Sequence, residues 1–325
     1  MVFTRNENGL FKMKNNYPAY VGFGMLTPVA IMVVGQLPEH NTGALVKEVS
    51  EFVFDDAAII ACLLRQWELP TAMIGTTVGD DPRGHLLAQQ LETWGVQGEV
   101  RHSSEIRTPW EVDVSDETGA RTYFWERAPQ VLNTLDTANL APLEGAGILY
   151  VDWYDGDHIL RAMDEAKRLH VPVFLNFEHG HADPALLNRY AGRAMICQAV
   201  TDAAQLGEVP PLEIAQKLLK TGVQIALITM AGEGCLVVNA AEAVRVRAPS
   251  VHAVDGCGAG ATFSAGFIYG YLKGWSLQES ACFATAAASL KVTRPGLQMF
   301  PINEIKTLAA QLLVEYPAAA DQPGH

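Results

Sequence analysis

The residues Val254-Asp255-Gly256-Cys257-Gly258-Ala259-Gly260-Ala261-Thr262-Phe263 set a cluster of glycines directly ahead of a helix-forming run. Glycines at such a turn let backbone N–H groups and a helix N-terminus converge on an anion, so the chemistry on offer is the holding of a phosphate or carboxylate. A tight strand-to-helix turn needs the same glycines for steric reasons alone, and the segment by itself leaves both readings open. Cys257 sits near that helix N-terminus, where a thiol's pKa falls and its reactivity rises; the plain alternative is a small buried residue. Asp55-Asp56 precede another helical run, either as polar contacts of a pocket or as first-turn acids. Asp152-Trp153-Tyr154-Asp155-Gly156-Asp157-His158 follows a strand and reads as pocket lining or as acidic helix caps. Glu178-His179-Gly180-His181-Ala182-Asp183 carries metal-capable side chains, but histidines two apart in a loop match the solvated pattern, and no metal site is expected there.

The elements that must position these residues alternate in type. Strand-like runs Ala19–Gly24, Thr71–Gly75, Gly147–Asp152, Val171–Asn176 and Ile225–Met230 are interleaved with helical runs Ala57–Trp67, Pro82–Trp94, His158–His170, Ala261–Leu272 and Leu277–Val292. Strand and helix in turn imply a parallel sheet wrapped on both faces. The segments 29–53 and 108–127 break the rhythm; the second alternates as a hairpin around Asp116-Glu117-Thr118-Gly119, and together they predict a small β-lid. Phe263, Phe267 and Tyr271 recur at helical spacing, the pattern of core packing. No internal repeat or linker divides residues 19–315, which are expected to form a single domain.

The chain has 325 residues, 49% hydrophobic and 18% charged, enough to bury one large core or two modest ones. A net charge of −13 with no Lys/Arg-rich stretch repels polyanions, so neither nucleic acid nor anionic membrane is an expected partner. Five scattered cysteines without a C-x-x-C pair suggest neither a disulfide framework nor a zinc cluster, and a cytoplasmic setting is expected. Residues 1–18 form a polar leader lacking the apolar region of a secretory signal. The longest apolar run, Val21–Gly35, falls short of the ~20 residues needed to cross a bilayer. Residues 316–325 are expected to be a flexible tail.

Several motifs extend the glycine segment into a resemblance. Asp255-Gly256-Cys257-Gly258-Ala259-Gly260 resembles the D-T-x-G-A-G-D signature of the ribokinase/PfkB family of carbohydrate kinases, and Thr293-Arg294-Pro295-Gly296 follows one helix later, after a run opened by the capping box Ser276-Leu277-Gln278-Glu279. Ile74-Gly75-Thr76-Thr77-Val78-Gly79-Asp80-Asp81-Pro82-Arg83-Gly84 is similar to that family's I-G-x-V-G-D-D-x-x-G element, Trp94-Gly95-Val96 to its sequel, and Thr108 with Gly119-Ala120-Arg121-Thr122 to its lid hairpin. The resemblance runs from about Tyr20 to Ile305. It implies an α/β ribokinase-like fold: a doubly wound, mostly parallel sheet flanked by helices, with a small β-sheet lid. ATP would bind at one side, with Mg2+, and a sugar-like small molecule under the lid, receiving the γ-phosphoryl group on a hydroxyl. The resemblance assigns the anion hole to Gly258, Ala259 and Gly260, and the nucleotide side to Thr229, Gly232, Gly234, Asp255, Gly258 and Gly260. It also makes the exposed lid edge a place where two copies could pair.

The chain departs from that pattern at four functional elements. The base position is Ala261, whose methyl group accepts no proton; loss of a positioned base costs roughly two to four orders of magnitude in rate. The substrate-holding acid falls at Thr27. The paired glycines fall near Val53-Phe54-Asp55-Asp56, which makes Asp55 and Asp56 substrate-side candidates. The N-x-x-E element reads Gln198-Ala199-Val200-Thr201, and T-x-G-x-x-G reads Thr229-Met230-Ala231-Gly232-Glu233-Gly234. Losses at substrate, base and metal positions imply a pseudokinase-like protein, weak or silent in transfer, that binds a ligand or regulates. The alternative is an active sugar or nucleoside kinase with a rearranged site, its base drawn from Asp55, Asp56 or Asp202. Gly256 to Ala261 also fits the dinucleotide fingerprint G-x-G-x-x-A, but a second helix follows where that motif needs a strand ending in an acid. No P-loop motif is present.

Overall fold

A computed structural model describes residues 4–5, 11–12, 17–201 and 209–317. Asp202, most of the leader and residues 318–325 of the expected tail lie outside them. Short strands rich in β-branched residues, buried on both faces, build a nine-stranded sheet. Its strands are β1 (Tyr20–Gly24), β4 (Thr71–Gly75), β7 (Ile148–Asp152), β8 (Val173–Glu178), β9 (Ile196–Val200), β10 (Ile225–Thr229), β11 (Cys235–Val238), β12 (Ala243–Val246) and β13 (Val314–Glu315), in the spatial order β13-β12-β11-β10-β9-β8-β7-β1-β4. The run from β4 to β10 is parallel, and β11 to β13 continue it antiparallel. The period of two in each strand divides the interior. Tyr20, Tyr150 and Phe174 face one core, with helices α1 (Asp56–Gln66), α5 (Ala259–Lys273) and α6 (Leu277–Lys291). Val21, Phe23, Val151 and Phe177 face the other, with α3 (Leu160–Arg168) and α4 (Pro211–Leu219).

A separate four-stranded sheet, in the order β6-β5-β2-β3, is made of β2 (Thr27–Val34), β3 (Val46–Phe54), β5 (Trp110–Ser115) and β6 (Arg121–Glu126). β5 and β6 are the expected hairpin, closed where Gly119 N–H donates to Asp116 O. The doubly wound sheet with a small lid is therefore present as the resemblance implied. Helix α2 (Pro82–Trp94) spans its expected residues, with Asp81 as N-cap and Gly95 as left-handed C-cap. Ser276 and Glu279 form the expected capping box of α6. The expected helix 158–170 is shorter; Trp153–Ile159 is a 3₁₀ turn broken at Gly156. Tyr316, placed in the expected tail, donates a hydrogen bond to Gln278. No helix among the described residues is long and apolar enough to cross a membrane.

Candidate functional site

The chain leaves β1 for β4 on one side and returns to β7 on the other, so the strand order reverses at β1. In doubly wound sheets such a switch opens a crevice at the carboxyl ends of the strands. A cavity of about 240 Å³ lies there. Met25 follows β1, Thr27 opens β2, Asp152 ends β7 and Glu178 ends β8. Asp55 and Asp56 stand at the N-terminus of α1, and Gly256, Gly258 and Gly260 at that of α5; Glu111, Arg121, Tyr123 and Trp125 form the lid side. The expected substrate residues Thr27, Asp55 and Asp56 thus share one cavity with Gly258 and Gly260.

Gly258 has φ +74 and no side chain caps α5; Ala259 N–H turns back to Gly256 O at 3.2 Å, which leaves the N–H groups of Gly260 and Ala261 to an anion. Asp255, expected at the nucleotide, is fully buried behind the turn. Its carboxylate pairs with Lys291 at 2.7 Å and accepts from Ser115 Oγ, Cys257 N and Gly296 N at 2.9, 2.9 and 3.0 Å. It holds the turn from inside. Of the two readings of Cys257 the structure has the small buried residue: burial pushes its thiol pKa well up, with the Asp113 charge adding to that. Ala261 is fully buried among apolar neighbours in the first turn of α5.

The carboxylates form a connected group. Asn176 Nδ2 donates to Asp152 Oδ2 at 2.7 Å and to Asp56 Oδ2 at 3.3 Å, Tyr150 hydroxyl reaches Asp56 at 3.5 Å, and Tyr154 hydroxyl donates to Glu178 at 2.9 Å. Burial, then the charges of Asp55 and Glu178, lift the pKa of Asp56 to about 8, and burial leads in lifting Asp55 to about 6. Burial and the neighbouring Asp113 raise Glu111 to about 8, and burial holds Asp152 and Asp155 well above the carboxylate range.

Two of these acids sit on unusual backbone. Asp55 has φ 27 and Glu178 φ 41, in the left-handed region that glycine enters freely. Asp55 stands near the resemblance's paired glycines, and Ala231, at its replaced nucleotide-side glycine, has φ 45. At both places a glycine-like backbone now carries a side chain.

Thr229, Gly232 and Gly234 lie in the β10–β11 turn, outside the lining of this cavity. Gly234 is sterically required, since a Cβ there would meet Val246 O at 2.0 Å. Gln198 is buried, its Oε1 accepting from Ser264 at 2.8 Å, so the N-x-x-E position offers no carboxylate. His179 and His181 diverge, one toward Tyr154 and the other toward Val200 O. Asp152 is both an N-cap for Tyr154 and cavity lining, which makes the two readings of its segment compatible. Sequence reasoning missed Glu111, Arg121, Tyr123, Trp125 and Arg127 as lining; the alternation of the lid hairpin marked them as strand residues but not the side each one faces.

The pfkB family carbohydrate kinase model matches residues 31–304, and the chain belongs to that family. An uncharacterized sugar kinase of Archaeoglobus fulgidus is 25% identical over 242 residues, 70% of this chain and 93% of that one. In fold the chain is similar to a putative ribokinase from Agrobacterium tumefaciens, with a TM-score of 0.79, 19% identity and coverage of 91% and 98%. It is also similar to an Arabidopsis thaliana ribokinase complexed with ribose and ATP, with a TM-score of 0.70, 21% identity and coverage of 90% and 99%.

Proposed function

We propose that this carbohydrate-kinase homologue transfers a phosphoryl group from ATP to a hydroxyl of a small molecule held under the lid, with Asp56 as the base in place of Ala261. The observation that carries it is the sharing of one cavity by Asp55, Asp56 and the glycine turn. A base must reach the acceptor hydroxyl while N–H donors hold the phosphoryl oxygens, and this wall offers both. A carboxyl lifted toward neutrality by burial and a second acid is the kind of group a proton transfer uses. The uncapped end of α5 and Gly258 fit the ATP phosphates. Mg2+ would supply charge neutralisation there, and with Gln198 at the usual metal element the carboxylates fitting it are those of the cavity. A second copy pairing through the lid edge is part of this reading, supported by the outward Phe124.

Binding without transfer is the second reading, favoured by the apolar burial of Ala261 and the missing acid near Gln198. ADP release across a panel of sugars, nucleosides and amino-polyols separates them. Turnover that falls about 10²- to 10⁴-fold in Asp56→Asn is expected; ligand binding with no turnover in any combination supports the second reading and removes the first.

A further inference from the structure

Six carboxylates line the cavity (Asp55, Asp56, Glu111, Glu126, Asp152 and Glu178) against two arginines, Arg121 and Arg127. Those cations are largely spoken for. Arg121 faces the fully buried Asp113 at 3.6 Å, Arg127 directs Nη1 to the sulfur of Met25 at 3.4 Å, and Glu126 has its own partner in Arg107. Among the described residues, Asp55, Asp56, Glu111, Asp152 and Glu178 form no ion pair. Acids gathered in a sunken cavity without a matching cation hold their protons, and a cationic ligand placed among them would let them ionise around it.

An independent observation marks the spot. Asn176, 1% exposed, spends its Nδ2 on Asp56 and Asp152, while its Oδ1 is buried with no donor at all. Asn176 lies behind the cavity lining and holds the Asp56 and Asp152 carboxylates side by side, so these two acids present their remaining acceptor sites to the cavity together. An alkylammonium group has three N–H donors and a positive charge. Arginines already lie over two lid rings, Arg121 over Tyr123 and Arg83 over Trp110, while Trp125, 61% exposed and stacked on Tyr123 at 5.4 Å, and Tyr154 offer further aromatic lining. Aromatic faces attract an organic cation and give a hydrated metal ion little.

We infer that the acceptor under the lid carries an ammonium group beside its hydroxyls, an amino sugar or amino-polyol, with Asp56 and Asp152, held side by side by Asn176, receiving its N–H groups. This rests on the reading of the cavity as the acceptor site.

Calorimetric titration of the full chain with matched pairs tests it: D-glucosamine against D-glucose and N-acetylglucosamine, and an amino-polyol against its polyol. The amine should bind about 10- to 100-fold more tightly than either neutral partner. Asp152→Asn and Asn176→Leu, each checked for an unchanged circular dichroism spectrum, should both collapse that ratio toward one. Neutral members binding as well as or better than amines overturns the ammonium inference and leaves the acceptor-site reading standing. Mg2+ or Ca2+ alone filling the site, in an Asp152-dependent way and to the exclusion of amines, overturns it in favour of a metal. Binding of neither member of any pair overturns both.

Discussion

Replacing Asp55 by glycine should stabilise the protein while damaging its site. At φ 27 Asp55 holds a conformation that costs a side-chain-bearing residue about 1–3 kcal/mol. Glycine removes that penalty and a carboxylate from a crowded group. It gives back roughly 0.5–1 kcal/mol through the greater freedom of the unfolded chain and a few tenths through the lost cap, the Asp55 side chain accepting from Asp56 N–H. The balance is a gain of about 0.5–2 kcal/mol, or roughly 1–4 °C in Tm. Asp55→Ala isolates the backbone, because alanine loses the charge and keeps the strain. Urea denaturation of the three proteins should rank Asp55→Gly above Asp55→Ala by about 1 kcal/mol. Were the alanine variant equal or more stable, the backbone at 55 would be relaxed, and the view of Asp55 as an acid held at a glycine's place would fail.

Ala261→Asp puts a carboxylate where the methyl group is fully buried among apolar side chains. It should lower stability by roughly 2–4 kcal/mol and not raise turnover; a rise in turnover at unchanged stability contradicts the packing of α5. Lys291→Met leaves the buried Asp255 unpaired and should cost about 3–5 kcal/mol in chemical denaturation; a loss under about 1 kcal/mol would mean that Asp255 does not hold the turn. Stability should also fall as pH rises: the folded chain keeps the Asp56 proton up to about 8, whereas an unfolded Asp releases it near ~3.9, so the folded state binds more protons in between. Denaturation midpoints should therefore drop between about pH 4 and 8, Asp56→Asn should flatten the slope, and a rising midpoint would contradict the burial of Asp56.

What was legible in the sequence follows from period and punctuation. The helix 82–94 announced itself through Asp81, Pro82 and Gly95, whose side-chain and backbone constraints are local. β9, β11 and β12 went unread because runs of four or five apolar residues have no period to separate strand from buried helix. The glycine turn and Asp55-Asp56 could be singled out, but their meeting depends on the order of β1, β4 and β7, a property of the whole sheet. The choice between a reactive and a buried Cys257 stayed open because a helix N-terminus is visible in sequence and burial against Asp113 is not. Asp152, Glu178 and Asn176 meet through strand register, and only strand ends aligned in space bring them together.

Strand β5 is anchored at both ends. At its start, Asp81 accepts from Thr108 N and Oγ1 at 3.0 and 2.8 Å, while Thr108 Oγ1 accepts from Gly79 N at 2.9 Å. At its end, Ser115 reaches Asp255, the same carboxylate that fixes the glycine turn. The roof and the anion turn are therefore one stiff frame with little freedom to hinge. On the proposed reading the fixed side of the entrance is β5, and its exposed rim is the edge strand β6 with Tyr123 and Trp125. Selectivity in such a frame comes from the shape already present, and affinity is not taxed by ordering a lid at each binding event.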